Sequence, residues 1–259
     1  MRGRPLVIGN WKMNLDFVEA LHLVQQLGVL MKNHPVEHTD VVVAPPFVDL
    51  RSVSSVIDAE RLAIGLGAQH VNPHDNGAQT GEISTSMLQR LGVEWVIVGH
   101  SERRTHYAMS DDIVASTLRS VVRASQHAVL CVGEDLSLRE AGDQEVFVEG
   151  QLSSALRGLE ERYHPLITVA YEPLWAIGTG VNATSEQVRS MTNFIRRVLS
   201  SLSLGTPQVL YGGSVNPENA DSLVREGEVD GFLVGGASLK AESFYAILQA
   251  CDDCYAIKR

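Results

Sequence analysis

The chain has 259 residues, 44% hydrophobic and 20% charged, with 31 acidic against 21 basic side chains and a net charge of −10. That length fits one large α/β barrel or two small domains, and such a chain buries about 70–75% of its unfolded surface without covalent staples. The acidic balance argues against nucleic acid or an anionic membrane as the main partner, so an anionic ligand needs a local positive site.

The first residues, Met1-Arg2-Gly3-Arg4-Pro5, lack a signal-peptide core and enter a strand, Leu6–Gly9. Seven further apolar runs predict strands at Val41–Ala44, Leu62–Gly67, Trp95–Val98, Ala128–Val132, Leu166–Ala170, Val209–Tyr211 and Gly231–Val234. They are rich in Val, Ile and Leu with little polar alternation, the pattern of parallel strands buried on both faces. Helical stripes lie between them. Phe17, Ala20, Leu21, Leu23, Val24 and Leu27 form one, and Val188, Met191, Phe194, Ile195 and Val198 another. Thr184-Ser185-Glu186 and Asn216-Pro217-Glu218 read as helix starts.

Eight βα units with no Pro/Gly/Ser-rich linker predict a single (β/α)8 barrel domain over residues 1–259. A doubly wound open sheet is the alternative. The first strand does not lead into Gly-x-Gly-x-x-Gly, which argues against a Rossmann dinucleotide site. Cys131, Cys251 and Cys254 are the three cysteines, an odd, low count that suits a reducing compartment, and a cytoplasmic protein is expected. Cys251 and Cys254 have redox spacing on the last predicted helix, but no second Cys or His cluster completes a metal site; they read as tail cysteines. Asn182-Ala183-Thr184 matches a glycosylation sequon and, without export, reads as chance. No run reaches the ~18 apolar residues that span a membrane.

In such barrels the site is built from loops at the carboxyl ends of the strands. Those ends present, in order, Asn10-Trp11-Lys12, Gln69, His100 with Ser101 to Arg104, Cys131 to Glu134, Glu172, Gly212-Gly213-Ser214 and Gly235-Gly236. Lys12 just past a buried strand reads as functional more than as a surface charge. His100 alone is equally well a satisfied core histidine, but Ser101-Glu102-Arg103 looks like a helical turn that starts at it and would hold the ring neutral. Arg103 and Arg104 read as a structural ion-pair network, and Cys131 as packing. Two glycine pairs after the last two strands suit phosphate binding on bare amides. Pro173 followed by Gly178 and Gly180 suits a hinged lid.

Together these residues describe aldose–ketose isomerisation of a small phosphorylated sugar. A carboxylate removes a proton next to a carbonyl, while an imidazole and an ammonium stabilise the enediolate oxygens. The bare amides hold the phosphate, and no metal or organic cofactor is needed.

Seven stretches carry a resemblance across nearly the whole chain, in order. They are Gly9 to Asn14, Gly77 to Ser84, Val98 to Arg104, Cys131 to Glu134, Ala170 to Gly180, Tyr211 to Val215 and Val234 to Leu239. In these the chain resembles the triosephosphate isomerase family, known for a carboxylate base beside a neutral histidine and for a closing lid. The resemblance implies that Glu172 is the base and His100 the electrophile. Lys12 steers and stabilises the anion, Asn10 contacts it, and Glu102 orients the catalytic groups. Gly178, Ser214, Gly235 and Gly236 resemble the phosphate site. Asn76 to Ser84 resembles the interface loop of a homodimer, which would brace Asn10 and Lys12 of a neighbouring subunit through Thr80. Such a long polar connection is otherwise hard to explain.

Four positions depart from the family pattern: Val181 at the lid's second hinge, Gln79 at the interface-loop tip, His70 where Asn is common, and Met109 where a buried acid is frequent. Two rival readings remain open at this stage. One is an isomerase of the same family acting on a four-carbon sugar phosphate. The other is a barrel that binds phosphate ligands or protein partners without catalysis, against which Lys12, His100 and Glu172 speak.

Overall fold

In the computed structural model, which describes residues 3–177 and 182–257, every predicted apolar run overlaps a strand. The strands are β1 (Leu6–Asn10), β2 (Asp40–Ala44), β3 (Gly65–Ala68), β4 (Trp95–Val98), β5 (His127–Val132), β6 (Ile167–Tyr171), β7 (Gln208–Tyr211) and β8 (Gly231–Val234). All pair in parallel in chain order and close into a barrel, with β1 hydrogen-bonded to both β2 and β8. Around it run α1 (Phe17–Asn33), α2 (Leu50–Glu60), α3 (Thr85–Gln89), α4 (Ser101–His106), α5 (Asp111–Arg123), α6 (Leu136–Ala141), α7 (Gln144–Leu156), α8 (Ser185–Ser201), α9 (Ala220–Glu226) and α10 (Ala241–Ile257).

The strands are apolar on both faces because each face meets a different core. Leu6, Ile8, Val42, Ala44, Ile97, Val129, Cys131, Ala170, Leu210 and Leu233 fill the barrel interior. Their neighbours in sequence, such as Val7, Val43, Val96, Leu130 and Val169, pack outward beneath the helices. The helical stripes meet them there: Ala20, Leu23, Val24 and Leu27 of α1 are buried, as are Val188, Met191, Phe194, Ile195 and Val198 of α8. Closure requires Gly231, at φ +141°, because a Cβ there would stand 1.9 Å from the Leu6 carbonyl oxygen.

The last helix ties back to the first unit. Asp252 accepts the His38 N–H at 2.7 Å and the Glu37 N–H at 3.2 Å, and the Tyr245 hydroxyl donates to the His34 carbonyl at 2.8 Å. Cys251 and Cys254 are free thiols buried on this helix, and burial pushes the Cys251 thiol far up. They pack the core, a role that the reading as tail cysteines did not include. Among the described residues no helix is long and apolar enough to cross a membrane.

Two boundaries differ from the sequence reading by more than one residue. Leu62 to Ile64 are not strand. Arg61 turns left-handed at φ +51° and the Leu62 N–H returns to the Ile57 carbonyl, so the apolar residues there belong to the end of α2. Asn216 starts a turn, not a helix: Asn216 and Asn219 exchange side-chain and backbone hydrogen bonds at 2.9 Å each, and α9 begins at Ala220. Thr184, by contrast, is the N-cap of α8 in a capping box with Gln187, which gives the sequon threonine a structural use.

Candidate active site

The strand ends bring Asn10, Lys12, His100, Glu102 and Glu172 together. Asn10 ends β1 and is buried, and its side-chain Oδ1 accepts the Lys12 N–H at 3.0 Å. Lys12 has left-handed backbone at φ +53°, a conformation costly for a residue with a Cβ. Its carbonyl accepts from Gln69 Nε2 at 2.8 Å, and its Nζ donates to Glu102 Oε1 at 2.6 Å. Burial opposes the charge of Glu102, but the hydrogen bond and charge of Lys12 outweigh it, with smaller help from His100 and His106 when they are protonated, and hold the carboxyl below its usual range.

His100 is the N-cap of α4, and this explains its orientation. Its Nδ1 accepts the Glu102 N–H at 3.2 Å. A neutral ring with that acceptor carries its proton on Nε2, and Nε2 stands 3.1 Å from Glu172 Oε1. The other oxygen of Glu172, Oε2, accepts the Ser101 N–H at 3.0 Å. Glu172 is 2% exposed and follows β6, where its own N–H donates to the Val132 carbonyl at 2.8 Å. Beneath it the Cys131 thiol faces the barrel interior, and burial first, then the Glu172 charge, raises its pKa well above the ordinary value. It packs, as the sequence reading expected.

The chain on either side of Glu172 is anchored to one buried residue, Glu134. Its Oε1 accepts from the Tyr171 hydroxyl at 3.0 Å and from Trp175 Nε1 at 2.9 Å, and its carbonyl accepts the Leu174 N–H at 2.9 Å. Arg139 approaches the same oxygen at 3.7 Å and lies over the Trp175 ring. Gly133 permits this closeness, since a Cβ there would stand 1.8 Å from the Glu172 carbonyl oxygen.

The late glycine loops lie at the same end of the barrel. A Cβ on Gly235 would stand 3.5 Å from Lys12 Cε, and Gly236 begins a short 3-10 turn with no side-chain cap. The Ser214 N–H donates to the Ala176 carbonyl at 3.1 Å. Gly178 and Val181 lie outside the described residues. Residues 74–82 of the loop after β3 are exposed.

The two arginines after His100 behave differently. Arg104 pairs with Asp111 at 2.6 Å and donates to the Gly99 carbonyl, as expected of a structural residue. Arg103 overturns the ion-pair expectation: among the described residues it has no carboxylate within pairing distance and lies over the Tyr107 ring at 4.7 Å. Buried Met109 supplies no charge there. His70, near Arg103, is held neutral to low pH: burial first, then the Arg103 charge, lower its pKa to about 4, against a weaker pull from Glu82.

The Ser101 N–H, the Gln69 amide and the Glu134 anchor had no assigned role in the sequence. Gln69 and Glu134 were visible only as polar residues at strand ends.

A sequence profile described as Triosephosphate isomerase matches residues 5–251. The chain is 42% identical over 248 residues to a triosephosphate isomerase from Mycobacterium avium, covering 94% of this chain and 95% of that one. It is 43% identical, over the same shares, to triosephosphate isomerases from Mycobacterium tuberculosis and Saccharopolyspora erythraea. With the closed barrel and the strand-end side chains already in place, these matches put the chain in the triosephosphate isomerase family.

Proposed function

We propose that Glu172, His100 and Lys12 carry out the family's reaction, the interconversion of dihydroxyacetone phosphate and D-glyceraldehyde 3-phosphate in glycolysis and gluconeogenesis. The observation that carries the assignment is the 3.1 Å approach of His100 Nε2 to Glu172 Oε1, with Lys12 beside Gly235. Glu172 takes a proton from the carbon next to the carbonyl. The electron pair left behind forms the enediolate, whose oxygens receive the His100 Nε2–H and the Lys12 ammonium. The carboxylic acid then returns its proton to the neighbouring carbon, so no redox partner and no cofactor enter. Asn10 and Glu102 fix Lys12 at its main chain and its ammonium. Gly178, Ser214, Gly235 and Gly236 receive the phosphate.

The chain acts as one catalytic domain, in the cytoplasm, as a homodimer. The exposed loop 74–82 supports the dimer, as do the apolar side chains of Met13 and Val48, 95% and 83% exposed on the loops after β1 and β2. Purified protein treated with a chelator is assayed on both triose phosphates and on tetrulose phosphates. Turnover of the trioses is expected. Turnover of a tetrulose phosphate alone would give the reading to the four-carbon rival, and none at all to a binding protein. Sedimentation at nanomolar concentration checks the dimer; a fully active single chain would exclude it.

A further inference from the structure

Gln69 sits one residue past β3, and its Nε2 donates two hydrogen bonds, to the Lys12 carbonyl at 2.8 Å and to the Ala44 carbonyl at 2.9 Å. The Ala44 carbonyl also accepts the Trp11 N–H at 3.1 Å. One amide therefore ties the main chain leaving β1 to the end of β2, at the residue whose φ is +53°. A residue with a Cβ keeps such a conformation only where its surroundings over-determine it. Asn10 holds the Lys12 N–H and Glu102 holds its Nζ. Gln69 supplies the third hold, on the carbonyl, so neither peptide flanking the Lys12 Cα can rotate without breaking a hydrogen bond.

We infer that Gln69 is a positioning residue for Lys12: it locks the left-handed backbone and so sets where the ammonium stands. The inference rests on the reading of Lys12 as the substrate's cation. Among the described residues the other hydrogen bonds to Lys12 come from the side chains of Asn10 and Glu102, at strand ends one and four, so Gln69 is the brace from the β2–β3 side of the barrel.

The test compares Gln69→Glu and Gln69→Met, each alone and combined with Lys12→Ala. Gln69→Glu keeps the shape and turns an oxygen toward two carbonyl oxygens, while Gln69→Met removes the donor without adding charge. Steady-state kinetics and competitive inhibition by inorganic phosphate are measured on protein that sediments and melts as the parent does. Each Gln69 variant is expected to lower kcat/KM roughly 10–100-fold, the range for a group misplaced by about 1 Å. Phosphate inhibition should weaken as well. With Lys12→Ala already present, the same changes should shift phosphate inhibition by less than about twofold, the signature of residues acting as one unit.

A Gln69→Met enzyme with parental kcat/KM would overturn the inference, and so would an equal weakening of phosphate in both backgrounds. If Lys12→Ala alone leaves kcat/KM and phosphate inhibition unchanged, the assignment of Lys12 fails instead. Should Gln69→Glu not fold, Gln69→Met carries the comparison.

Discussion

Ser101 holds Glu172 through its backbone N–H, 3.0 Å from Oε2, while His100 Nε2 occupies the other oxygen at 3.1 Å. Both oxygens of the proposed base are thus engaged by the first turn of α4. To take a proton from carbon, the carboxylate must exchange one of these bonds for the substrate. The length of the side chain decides whether it reaches.

Glu172→Asp tests that reach. Removing one methylene retracts the carboxylate by about 1 Å, and a misplacement of that size costs about 100-fold in turnover. Charge and carboxylate chemistry are kept, and the loops at Gly235 and Gly236 are untouched. We expect kcat to collapse while inhibition by inorganic phosphate persists. Parental turnover with Asp would remove Glu172 from the mechanism.

Gly133→Ala tests the floor beneath the base. The new methyl would have to displace the Glu172 main chain, since its ideal position is 1.8 Å from that carbonyl oxygen. Overpacking of this kind costs about 1–3 kcal/mol of stability. Here it also moves the residue proposed as the base. The control is Gly150→Ala in α7, where a Cβ meets nothing within 4 Å. That change should raise stability by about 0.5–1 kcal/mol through helix propensity and leave kcat as it was. Urea titrations and kinetics on both variants would show whether the two glycines differ in this way.

His70 makes stability depend on pH below neutrality. Its folded pKa is lowered from 6.5 to about 4, so between those values the unfolded chain binds a proton that the folded chain refuses. Stability is therefore complete above about pH 6.5 and falls as the pH drops through this window. The linkage relation gives a loss of about 2 kcal/mol between pH 7 and pH 5 for this group. His70→Asn removes the titrating ring but keeps a polar side chain. Denaturant midpoints at the two pH values should separate parent from variant. An equal pH dependence in both would clear His70 of the effect.

The barrel was legible because its strands are buried twice over. Val41 to Ala44 or Ala128 to Val132 needed no partner in view to read as parallel strand, since one set of side chains fills the interior and the other meets the helices. The same logic failed at Leu62 to Ile64, where apolar residues serve the turn after α2. Hydrophobicity records burial, and burial does not require a strand. At the site, residue types and order were readable, as were the helical turn that starts at His100 and the packing role of Cys131. What could not be read was contact across the barrel. Lys12 meets Glu102 from 90 positions away, and Gln69 meets Lys12 from 57. Nor does any local pattern announce a lysine with positive φ. Arg103 was misread for a different reason: an arginine pair in a helix suggests carboxylates, but its partner is local, the Tyr107 ring four positions on.

The pairing of Leu6 with Gly231 places the first strand against the last. During synthesis β1 therefore waits for nearly the entire chain before its second edge is covered. Until then it presents unpaired amides and carbonyls of the kind that recruit other chains. The Asp252 and Tyr245 bonds to residues 34–38 come later still, after β8 has emerged. Lys12 likewise gains Gly235 as a neighbour only at the end. A chain cut short before β8 would keep seven strands and most of its helices, yet lack both a sealed sheet and the glycines of the proposed phosphate site. For this protein, a premature stop before β8 would leave an open sheet edge prone to association as well as an incomplete strand-end cluster.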